Sequence, residues 1–288
     1  MQSIVVTGVS TGIGWSITKV LIQNGFRVFG SVRKTQDAER LKNEFGEAFI
    51  PLLFDITDEV NVQSAAKQVR DQLNGETLFG LVNNAGVAVP APLIYQSTED
   101  FRHQIEVNLI GTLIVTKAFV PLLGSDKTLR GHPGRIINIS STAGKNGNPF
   151  VGAYATSKHG LEGFSESLRR ELMLYGVDVI MVAPGSVATP IWDKAEKNDL
   201  SAYENTEYAE AARLVREIMI HDGKNGLPSQ KVGEVVLHAL TTSNPRVRYP
   251  VIPGNFLKRA IRAIRMILPK RVQDRIIAKR LFGTEKVR

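Results

Sequence analysis

The sequence predicts an α/β fold in which one doubly wound parallel sheet carries helices on both faces. Short apolar runs, many of them β-branched, alternate along the chain with longer stretches of helical pattern. These runs are apolar at successive positions, which is typical of strands that are buried on both faces of a parallel sheet. A glycine-rich turn also joins the first predicted strand to the first predicted helix.

The elements follow one another in a regular order. Strands are expected over residues 3–6, 27–32, 49–54, 78–83, 135–140 and 177–182, and helices over residues 14–24, 36–45, 59–73, 100–123 and 154–174. Arg248-Tyr249-Pro250 adds a further strand. Right-handed crossovers should connect the parallel strands.

We predict one domain over residues 1–254. Residues 185–228 follow the carboxyl end of the sixth strand, where sheets of this kind bind ligands, so they are a candidate substrate lid. Residues 255–288 should form a basic, amphipathic helical tail. The apolar stripe of this tail consists of Leu257, Ile261, Ile264 and Leu268, and its other faces carry Lys258, Arg259, Arg262 and Arg265.

The composition narrows the class of protein. The chain has no cysteine, which excludes disulfides and thiolate zinc sites. It has no run of about 18 uncharged apolar residues, so we expect no membrane-spanning helix. Met1 is followed almost directly by the first strand, which leaves no room for a signal peptide. We therefore expect a cytoplasmic protein.

The net charge of +8 is unevenly placed, because residues 246–288 carry thirteen Lys and Arg against two acidic residues. Such a tail can lie on an anionic membrane surface, or it can pack its apolar stripe on the body and leave its charges solvated. Both interpretations stay open. Nucleic acid is not an expected partner, because the tail offers few aromatic side chains for base stacking, namely Tyr249, Phe256 and Phe282.

The turn after the first strand reads TGVSTGIG over residues 7–14. Its glycines let the backbone turn sharply and approach a pyrophosphate, and the following helix offers free N–H groups and a positive dipole end. A purely structural glycine turn is the alternative, but the position between strand and helix favours a dinucleotide. The candidate cofactor residues of this turn are Gly8, Ser10, Thr11, Gly12, Ile13 and Gly14.

The end of the second strand indicates which dinucleotide is bound. An acidic side chain there would hold the ribose hydroxyls of NAD(H), whereas an arginine accommodates the 2′-phosphate of NADP(H). The sequence has no acid at this point and instead places Arg33 next to Lys34. We therefore predict NADP(H), with NAD(H) as the alternative if these cations form only a solvated loop.

Tyr154 and Lys158 are four residues apart in a predicted helix, so their side chains lie on one helix face. A nearby ammonium stabilises a phenolate and lowers the pKa of tyrosine toward the range of a general acid/base. Polar or glycine-bearing segments end three strands at the same sheet edge, namely residues 83–86, 138–141 and 184–185.

In the order and spacing of these motifs the sequence resembles the short-chain dehydrogenase/reductase family in its single-domain form. TGxxxGxG lies at residues 7–14, NNAG at 83–86, YxxxK at 154–158 and PGxxxT at 184–189, and the likeness covers about residues 1–190. The resemblance implies a Rossmann-type sheet of about seven strands in the order 3-2-1-4-5-6-7, with a C-terminal helical extension. It also implies metal-independent hydride transfer between a nicotinamide cofactor and an alcohol or ketone, and assembly into a homodimer or homotetramer.

The resemblance also implies roles for single residues. Tyr154 would be the general acid/base, and Lys158 would lower its pKa and hold the nicotinamide ribose. Ser141 would hydrogen-bond the reacting oxygen, since it lies thirteen residues before Tyr154 as in the family, whereas Ser140 does not. Asn108 would support a water-mediated proton relay. Cofactor contacts are further expected from Asp55 and Ile56 at the adenine, from Asn83, Ala85 and Gly86 in the groove, from Pro184, Gly185 and Val187, and from Thr189 at the carboxamide.

Apolar residues are the candidates for contact with the substrate. They are Val89, Phe150, Val151 and Trp192, with Val87, Val187, Ile191 and Met219 as further members. They predict a lipophilic alcohol or carbonyl compound such as a steroid, a retinoid or a fatty acyl derivative, and the tail is similar to retinol and hydroxysteroid dehydrogenase members of the family. The alternatives are a lid core built from these residues, a reductase of small or acyl-carrier-linked ketones, and a non-enzymatic NADP(H)-binding sensor or scaffold.

Overall fold

The computed structural model describes residues 1–190, 192, 200–254 and 268–283. The chain forms two compact units. The first consists of Met1–Gly185 and Pro228–Val251, and the second of Ser186–Leu227 and Ile252–Arg288. The domain limits expected from the sequence stay predictions. Of the predicted tail stripe, only Leu268 lies among the described residues.

A seven-stranded parallel sheet forms the centre of the first unit, in the order β3-β2-β1-β4-β5-β6-β9. The predicted doubly wound sheet and its strand order are therefore confirmed, with Arg248–Val251 as the seventh strand in space. The strands are β1 (Ser3–Val6), β2 (Arg27–Val32), β3 (Phe49–Leu53), β4 (Gly80–Asn83), β5 (Arg135–Ile139), β6 (Asp178–Pro184), β7 (Val187–Ala188), β8 (Leu227–Pro228) and β9 (Arg248–Val251).

The helices of the described chain lie between these strands and after them. They are α1 (Gly12–Gln23), α2 (Thr35–Phe45), α3 (Glu59–Gln72), α4 (Thr98–Ile105), α5 (Gly111–Phe119), α6 (Gly152–Glu171), α7 (Ala209–Lys224), α8 (Ser229–Thr241) and α9 (Lys270–Phe282). A π-helical segment, Glu106–Ile110, joins α4 to α5.

The helices α1, α4 and α6 each begin two residues before the predicted start. In α4 the Ser97 side chain caps the helix by accepting a hydrogen bond from the backbone N–H of Asp100. Serine at this position, followed by acidic residues in the first turn, is a recognised start signal of helices. This signal places the start of α4 before residue 100, the start predicted from the sequence.

The core of the sheet layer consists of fully buried aliphatic and aromatic side chains. Val5, Phe29, Leu81 and Ile136 lie on neighbouring strands of the sheet and belong to one apolar cluster. The cluster also includes Phe119 of α5. Continuous apolar strands of this kind are buried on both faces, as the sequence pattern indicated.

One helical stretch of the described chain, Thr98–Leu123, is long and apolar enough to cross a membrane by length and composition. This stretch was not expected from the sequence, because it contains charged residues and only uncharged apolar runs were counted. Half of its apolar window is buried inside the protein. The buried polar side chains of Asn108 and Thr112 lie in this stretch, as expected for a core helix of the fold.

Candidate active site

The glycine turn between β1 and α1 can adopt its tight conformation only because its glycines lack side chains. Gly8 and Gly12 have φ angles of +69° and +62°, which L side chains rarely adopt. A Cβ on Gly14 would lie 2.2 Å from the carbonyl oxygen of Gly8 and 2.5 Å from Nδ2 of Asn84. The Thr11 side chain makes no capping hydrogen bond, so α1 presents its first N–H groups and its positive dipole end to the turn. These features fit the pyrophosphate of a dinucleotide.

The predicted adenine-side residues lie at the ends of the neighbouring strands β2 and β3. Nη1 of Arg33 is 3.5 Å from Oδ2 of Asp55; the Arg33 side chain is exposed, and the Asp55 side chain is partly exposed. Burial alone would raise the pKa of the Asp55 carboxyl, but hydrogen bonds from Thr57 and the charge of Arg33 bring it below the usual value. Ile56 is buried and packs closely against Gly111, because a Cβ added to Gly111 would lie 2.8 Å from the Ile56 side chain.

Arg40 of α2 is a residue at this end of the sheet that the sequence analysis missed. Its Nη2 donates a hydrogen bond to the carbonyl oxygen of Ser10 at 2.6 Å. It also forms ion pairs with Asp37 and Glu44 of its own helix. Arg40 therefore places a cation beside the glycine turn, whereas Arg33 and Lys34 follow the neighbouring strand β2.

The two asparagines after β4 have different surroundings. The side chain of Asn83 is buried and donates hydrogen bonds to Thr116 Oγ1 at 3.1 Å and to Asn138 Oδ1 at 2.9 Å. Asn84 instead donates to the carbonyl oxygens of Thr7 and Gly8. The side chain that braces the glycine turn is therefore that of Asn84, and the side chain of Asn83 lies inside the sheet and helix layers. Ala85 contacts the turn as well, since a Cβ on Gly8 would lie 2.9 Å from the Ala85 Cα.

Tyr154, Lys158 and Ser141 meet at the carboxyl end of β5. Nζ of Lys158 lies 5.8 Å from the centroid of the Tyr154 ring and donates a hydrogen bond to the carbonyl oxygen of Ile139 at 2.9 Å. Burial raises the pKa of the Tyr154 phenol, and a hydrogen bond from the Ser141 side chain lowers it. Burial also lowers the pKa of Lys158 to about 8, and the negative charge of Glu162 acts in the opposite direction.

Asn108 lies in the π-helical segment that interrupts the α4–α5 stretch. Its Nδ2 donates to Ser157 Oγ at 2.9 Å and to the carbonyl oxygen of Val87 at 2.9 Å, and its Oδ1 accepts from the Val87 N–H at 2.8 Å. Single π-helical turns are frequent at functional sites. Here the turn brings the Asn108 amide between the loop after β4 and helix α6. Gly86 lies in the same place, since its Cβ would be 3.0 Å from Asn108 Oδ1 and 3.8 Å from Lys158 Nζ.

Two of the predicted substrate residues, Phe150 and Val151, pair with the segment around Ala91 in the first unit. Val151 pairs with Ala91 in an isolated parallel bridge, and the carbonyl oxygen of Phe150 accepts a hydrogen bond from the Ala91 N–H at 2.8 Å. Phe150 is buried with a φ angle of +68°, a backbone strain that is typically kept at functional sites. Val89 is partly buried and is held through its main chain by Gln104.

Some of the remaining predicted site residues belong to the first unit and some to the second. Pro184 and Gly185 end β6 in the first unit, where the Gly185 N–H donates to the carbonyl oxygen of Val251 at 2.9 Å. Val187, Thr189 and Trp192 belong to the second unit. There, Trp192 donates from Nε1 to the carbonyl oxygen of Val187 at 2.7 Å and packs against Gly223, so its indole stabilises α7.

The comparison with known proteins agrees with the geometry of this site. The sequence profile of the family described as short chain dehydrogenase matches residues 2–200 of the chain. The chain belongs to the short-chain dehydrogenase family. The chain is therefore an oxidoreductase that uses a nicotinamide dinucleotide. The alternative of a non-enzymatic scaffold is not supported.

Several members of the short-chain dehydrogenase family are similar to this chain. It is 37% identical to the NADPH-dependent 3-dehydrocapnine reductase of Ornithobacterium rhinotracheale over 281 residues, which is 98% of both chains. It is 36% identical to retinol dehydrogenase 5 of Mus musculus over 267 residues, 85% of this chain and 79% of the relative. A short-chain dehydrogenase from Burkholderia phymatum, solved in complex with NAD, shares the fold with a TM-score of 0.74 at 20% identity, covering 91% of this chain and 92% of that one.

Beside the predicted catalytic residues of this short-chain dehydrogenase lies a buried charged cluster that was not predicted from the sequence. Glu162 of α6 accepts hydrogen bonds from Ser140 Oγ at 2.7 Å and from Arg248 Nε at 3.0 Å. Nζ of Lys145 lies 3.7 Å from the same carboxylate. The sequence held one signal of this cluster, because Glu162 continues the spacing of four from Tyr154 and Lys158 along one helix face.

Proposed function

We propose that this enzyme is an NADPH-dependent reductase that converts a lipophilic ketone or aldehyde to the alcohol, with Tyr154 as the general acid. The observation that carries the proposal is the meeting of three groups at the end of β5. Tyr154 is hydrogen-bonded by Ser141, and the Lys158 ammonium lies beside the phenol ring. This arrangement supports proton transfer to a carbonyl oxygen bound next to Ser141.

The bound nicotinamide cofactor would supply the hydride, and the residues of the chain would manage the proton and the charge. Tyr154 would donate its phenol proton to the carbonyl oxygen, and the Ser141 hydroxyl would donate a hydrogen bond to the same oxygen as negative charge develops there. Lys158 would stabilise the phenolate that remains. Because Lys158 is fixed by the Ile139 carbonyl and by burial, its charge would need little reorganisation during the reaction.

The preference for NADPH is supported by the cations around the glycine turn. Arg40 contacts the turn, Arg33 directly follows β2, and no acidic residue stands at that point. The reductase of Ornithobacterium rhinotracheale, which is similar over its whole length, is NADPH-dependent by name. Arg33 is paired with Asp55, so a 2′-phosphate would compete with this carboxylate for the guanidinium.

Fluorescence titration of NADPH and NADH tests the cofactor preference. Wild type should bind NADPH at least about tenfold more tightly than NADH, since one charge-assisted contact contributes about 1.5–3 kcal/mol. Arg33→Ala should remove most of this preference, whereas Lys42→Ala, which removes a partly exposed cation of α2 that pairs with Glu47, should keep it. Equal binding of both nucleotides by wild type would refute the preference.

The substrate class rests on the relatives and on the apolar character of the predicted substrate residues Phe150 and Val151. The relative that is similar from end to end reduces 3-dehydrocapnine by name, and a second relative is a retinol dehydrogenase. We therefore propose 3-dehydrocapnine and all-trans-retinal as the first two substrates to test. A short 3-ketoacyl thioester represents the alternative of small or acyl-carrier-linked ketones.

Steady-state oxidation of NADPH with these three compounds tests the proposed function. A lipophilic compound should be reduced with the higher kcat/KM, and Tyr154→Phe should lower kcat by about 10²–10⁴-fold while NADPH binding stays unchanged. Tyr175→Phe is the control, because this tyrosine lies before the amino end of β6 and keeps its ring contact with Lys127. Unchanged turnover in Tyr154→Phe would refute the catalytic assignment. Preference for the thioester would refute the substrate class.

Contact with a membrane surface stays a proposal for helix α9. Its exposed side includes the apolar residues Val272 and Ile276 and the cations Arg275 and Lys279. A mixed surface of this kind favours anionic lipid headgroups. Cosedimentation with phosphatidylserine vesicles, but not with phosphatidylcholine vesicles, and its loss in Ile276→Glu would support the contact. Cytoplasmic location and assembly into a homodimer or homotetramer likewise stay predictions.

A further inference from the structure

Glu162 is a buried carboxylate one helical turn beyond Lys158 in α6. It is 4% exposed, and a buried carboxylate is costly unless other groups compensate its charge. Two groups from other elements do so directly. The Ser140 hydroxyl donates to Oε1 at 2.7 Å, and Arg248 Nε lies 3.1 Å from Oε1 and 3.0 Å from Oε2.

These partners connect Glu162 to the segment that carries the catalytic serine. Ser140 directly precedes Ser141, and Nη2 of Arg248 donates to the carbonyl oxygen of Ser141 at 3.5 Å. A Cβ on Gly144 would lie 2.9 Å from both Glu162 Cγ and Ser140 Oγ, so the turn after Ser141 packs directly on the carboxylate side chain. The main chain of the Ser140–Ser141 segment is therefore held by Glu162 of α6 and by Arg248 of β9.

Glu162 also determines the charge around Lys158. Four ionic groups face one another here: Lys158 and Glu162 from α6, Lys145 from the turn after β5, and Arg248 from β9. The other titratable groups on this face of α6 are Tyr154 and, one turn beyond Glu162, the half-exposed Glu166, and the neighbours Asn108 and Ser140 are neutral. Without Glu162, three cations would stand close together with no anion among them.

We propose that Glu162 is a positioning residue for the acid–base pair: it holds the Ser140–Ser141 segment against α6, and its negative charge keeps the buried Lys158 side chain protonated during turnover. This inference rests on the proposed roles of Tyr154 and Lys158. Its action is indirect, because Glu162 reaches the reacting atoms only through Lys158 and through the serine segment. Burial of Lys158 favours the neutral amine, and Glu162 opposes this effect.

The pH dependence of kcat for NADPH-dependent reduction separates this role from a purely structural one. Reduction needs the protonated forms of Tyr154 and Lys158, so its rate falls at high pH. Removal of a nearby negative charge lowers the pKa of every group around it, whichever group loses the first proton. In Glu162→Gln this basic limb should therefore move to lower pH by about one unit. Glu162→Asp should restore most of the wild-type profile.

Two further variants give matched comparisons. Glu166→Gln makes the same chemical change one turn further along α6, at a half-exposed side chain that pairs with Arg170, and should leave the basic limb in place. Arg248→Met removes a cation from the same cluster, so its basic limb should move to higher pH. Opposite shifts in Glu162→Gln and Arg248→Met cannot come from a general loss of structure. If Glu162→Gln does not fold, the shift in Arg248→Met decides the question.

A second readout does not depend on turnover. NADPH affinity, measured by fluorescence across pH, should decline at high pH as Lys158 loses its charge, and this decline should begin at lower pH in Glu162→Gln. Basic limbs at the wild-type pH in both Glu162→Gln and Arg248→Met, with only the rates scaled down, would overturn the inference. Tyr154→Phe tells this failure apart from failure of the proposed function: if Tyr154→Phe is fully active, the proposed catalytic site itself is wrong.

Discussion

The side-chain amide of Asn108 is hydrogen-bonded to both main-chain groups of Val87. Oδ1 accepts from the Val87 N–H at 2.8 Å, and Nδ2 donates to the Val87 carbonyl oxygen at 2.9 Å. The second Nδ2 proton goes to Ser157 Oγ, whose own proton goes to the carbonyl oxygen of Tyr154. The π-helical turn therefore ties the loop after β4 to the first turn of α6, where the proposed general acid lies.

Asn108→Ala should lower both stability and turnover. The variant leaves two main-chain groups of Val87 and the Ser157 hydroxyl without their partner, which should cost about 2–3 kcal/mol of the free energy of unfolding. We also expect kcat to fall at least about tenfold, since small displacements of a catalytic group reduce rates strongly. Urea unfolding and steady-state kinetics measure the two effects. Asn61→Ala is the control, because this exposed amide bonds only to Asp58 and Ala should cost less than about 0.5 kcal/mol there.

The buried Lys158 side chain should make stability and activity respond to pH in opposite directions. Its pKa is about 8 in the folded chain because of burial, below the usual value of 10.5. Between these two values the unfolded chain binds a proton that the folded chain does not, so the free energy of unfolding rises with pH in this window. The rise should reach roughly 3 kcal/mol relative to Lys158→Met, measured by denaturation at both ends of the window. The rate of reduction should fall across the same window. An equal pH dependence of unfolding in both proteins would contradict the prediction.

The glycine turn and helix α6 offer a matched pair of glycine substitutions. Gly14→Ala would place a Cβ 2.2 Å from the carbonyl oxygen of Gly8, so the turn must open and NADPH binding should weaken by at least about tenfold. Gly163→Ala meets open space inside α6 and should raise the free energy of unfolding by about 1 kcal/mol, with unchanged NADPH binding. Fluorescence titration and thermal unfolding measure both. Full affinity in Gly14→Ala would show that the pyrophosphate binds elsewhere.

Much of the fold and the close approach of Tyr154 and Lys158 could be predicted because they depend on short-range patterns. The apolar runs of β1 and β2 end where the strands end, and the spacing of four placed Tyr154 and Lys158 on one face. What the pattern could not show is the direction of single side chains at strand ends. Asn83 and Asn84 are adjacent, and only the register of the sheet decides that the first points into the core and the second toward the glycine turn.

The charged cluster next to the candidate active site could not be predicted from the sequence for a different reason. Glu162 and Arg248 are 86 residues apart, and they meet only because β9 joins the sheet next to β6. In the sequence a glutamate in an amphipathic helix is typical of a solvated face, and so is Arg40 in α2. Long-range pairings of this kind follow from the strand order, which composition and periodicity do not determine.

The partly buried Arg135 should contribute strongly to the free energy of unfolding of the first unit. Its Nη1 donates to three carbonyl oxygens at the C-terminus of α8, those of Ala239 at 3.0 Å, Leu240 at 2.9 Å and Thr242 at 2.7 Å. These groups have no partner within the helix, and the negative end of the helix dipole favours a cation there. Arg135→Met should therefore lower the free energy of unfolding by about 2–3 kcal/mol, measured by urea denaturation.

The neighbouring ion pair provides the comparison for Arg135→Met. Nε of Arg135 lies 3.4 Å from Oδ2 of Asp178, but the Asp178 side chain is 53% exposed. Exposed pairs contribute about 0–1 kcal/mol, so Asp178→Asn should cost far less than Arg135→Met. If the two variants lost equal stability, the ion pair would be the source of the effect and the capping of α8 would not. A large loss in Arg135→Met alone would assign the stabilisation to the three carbonyl contacts, which fix α8 against the sheet next to α1.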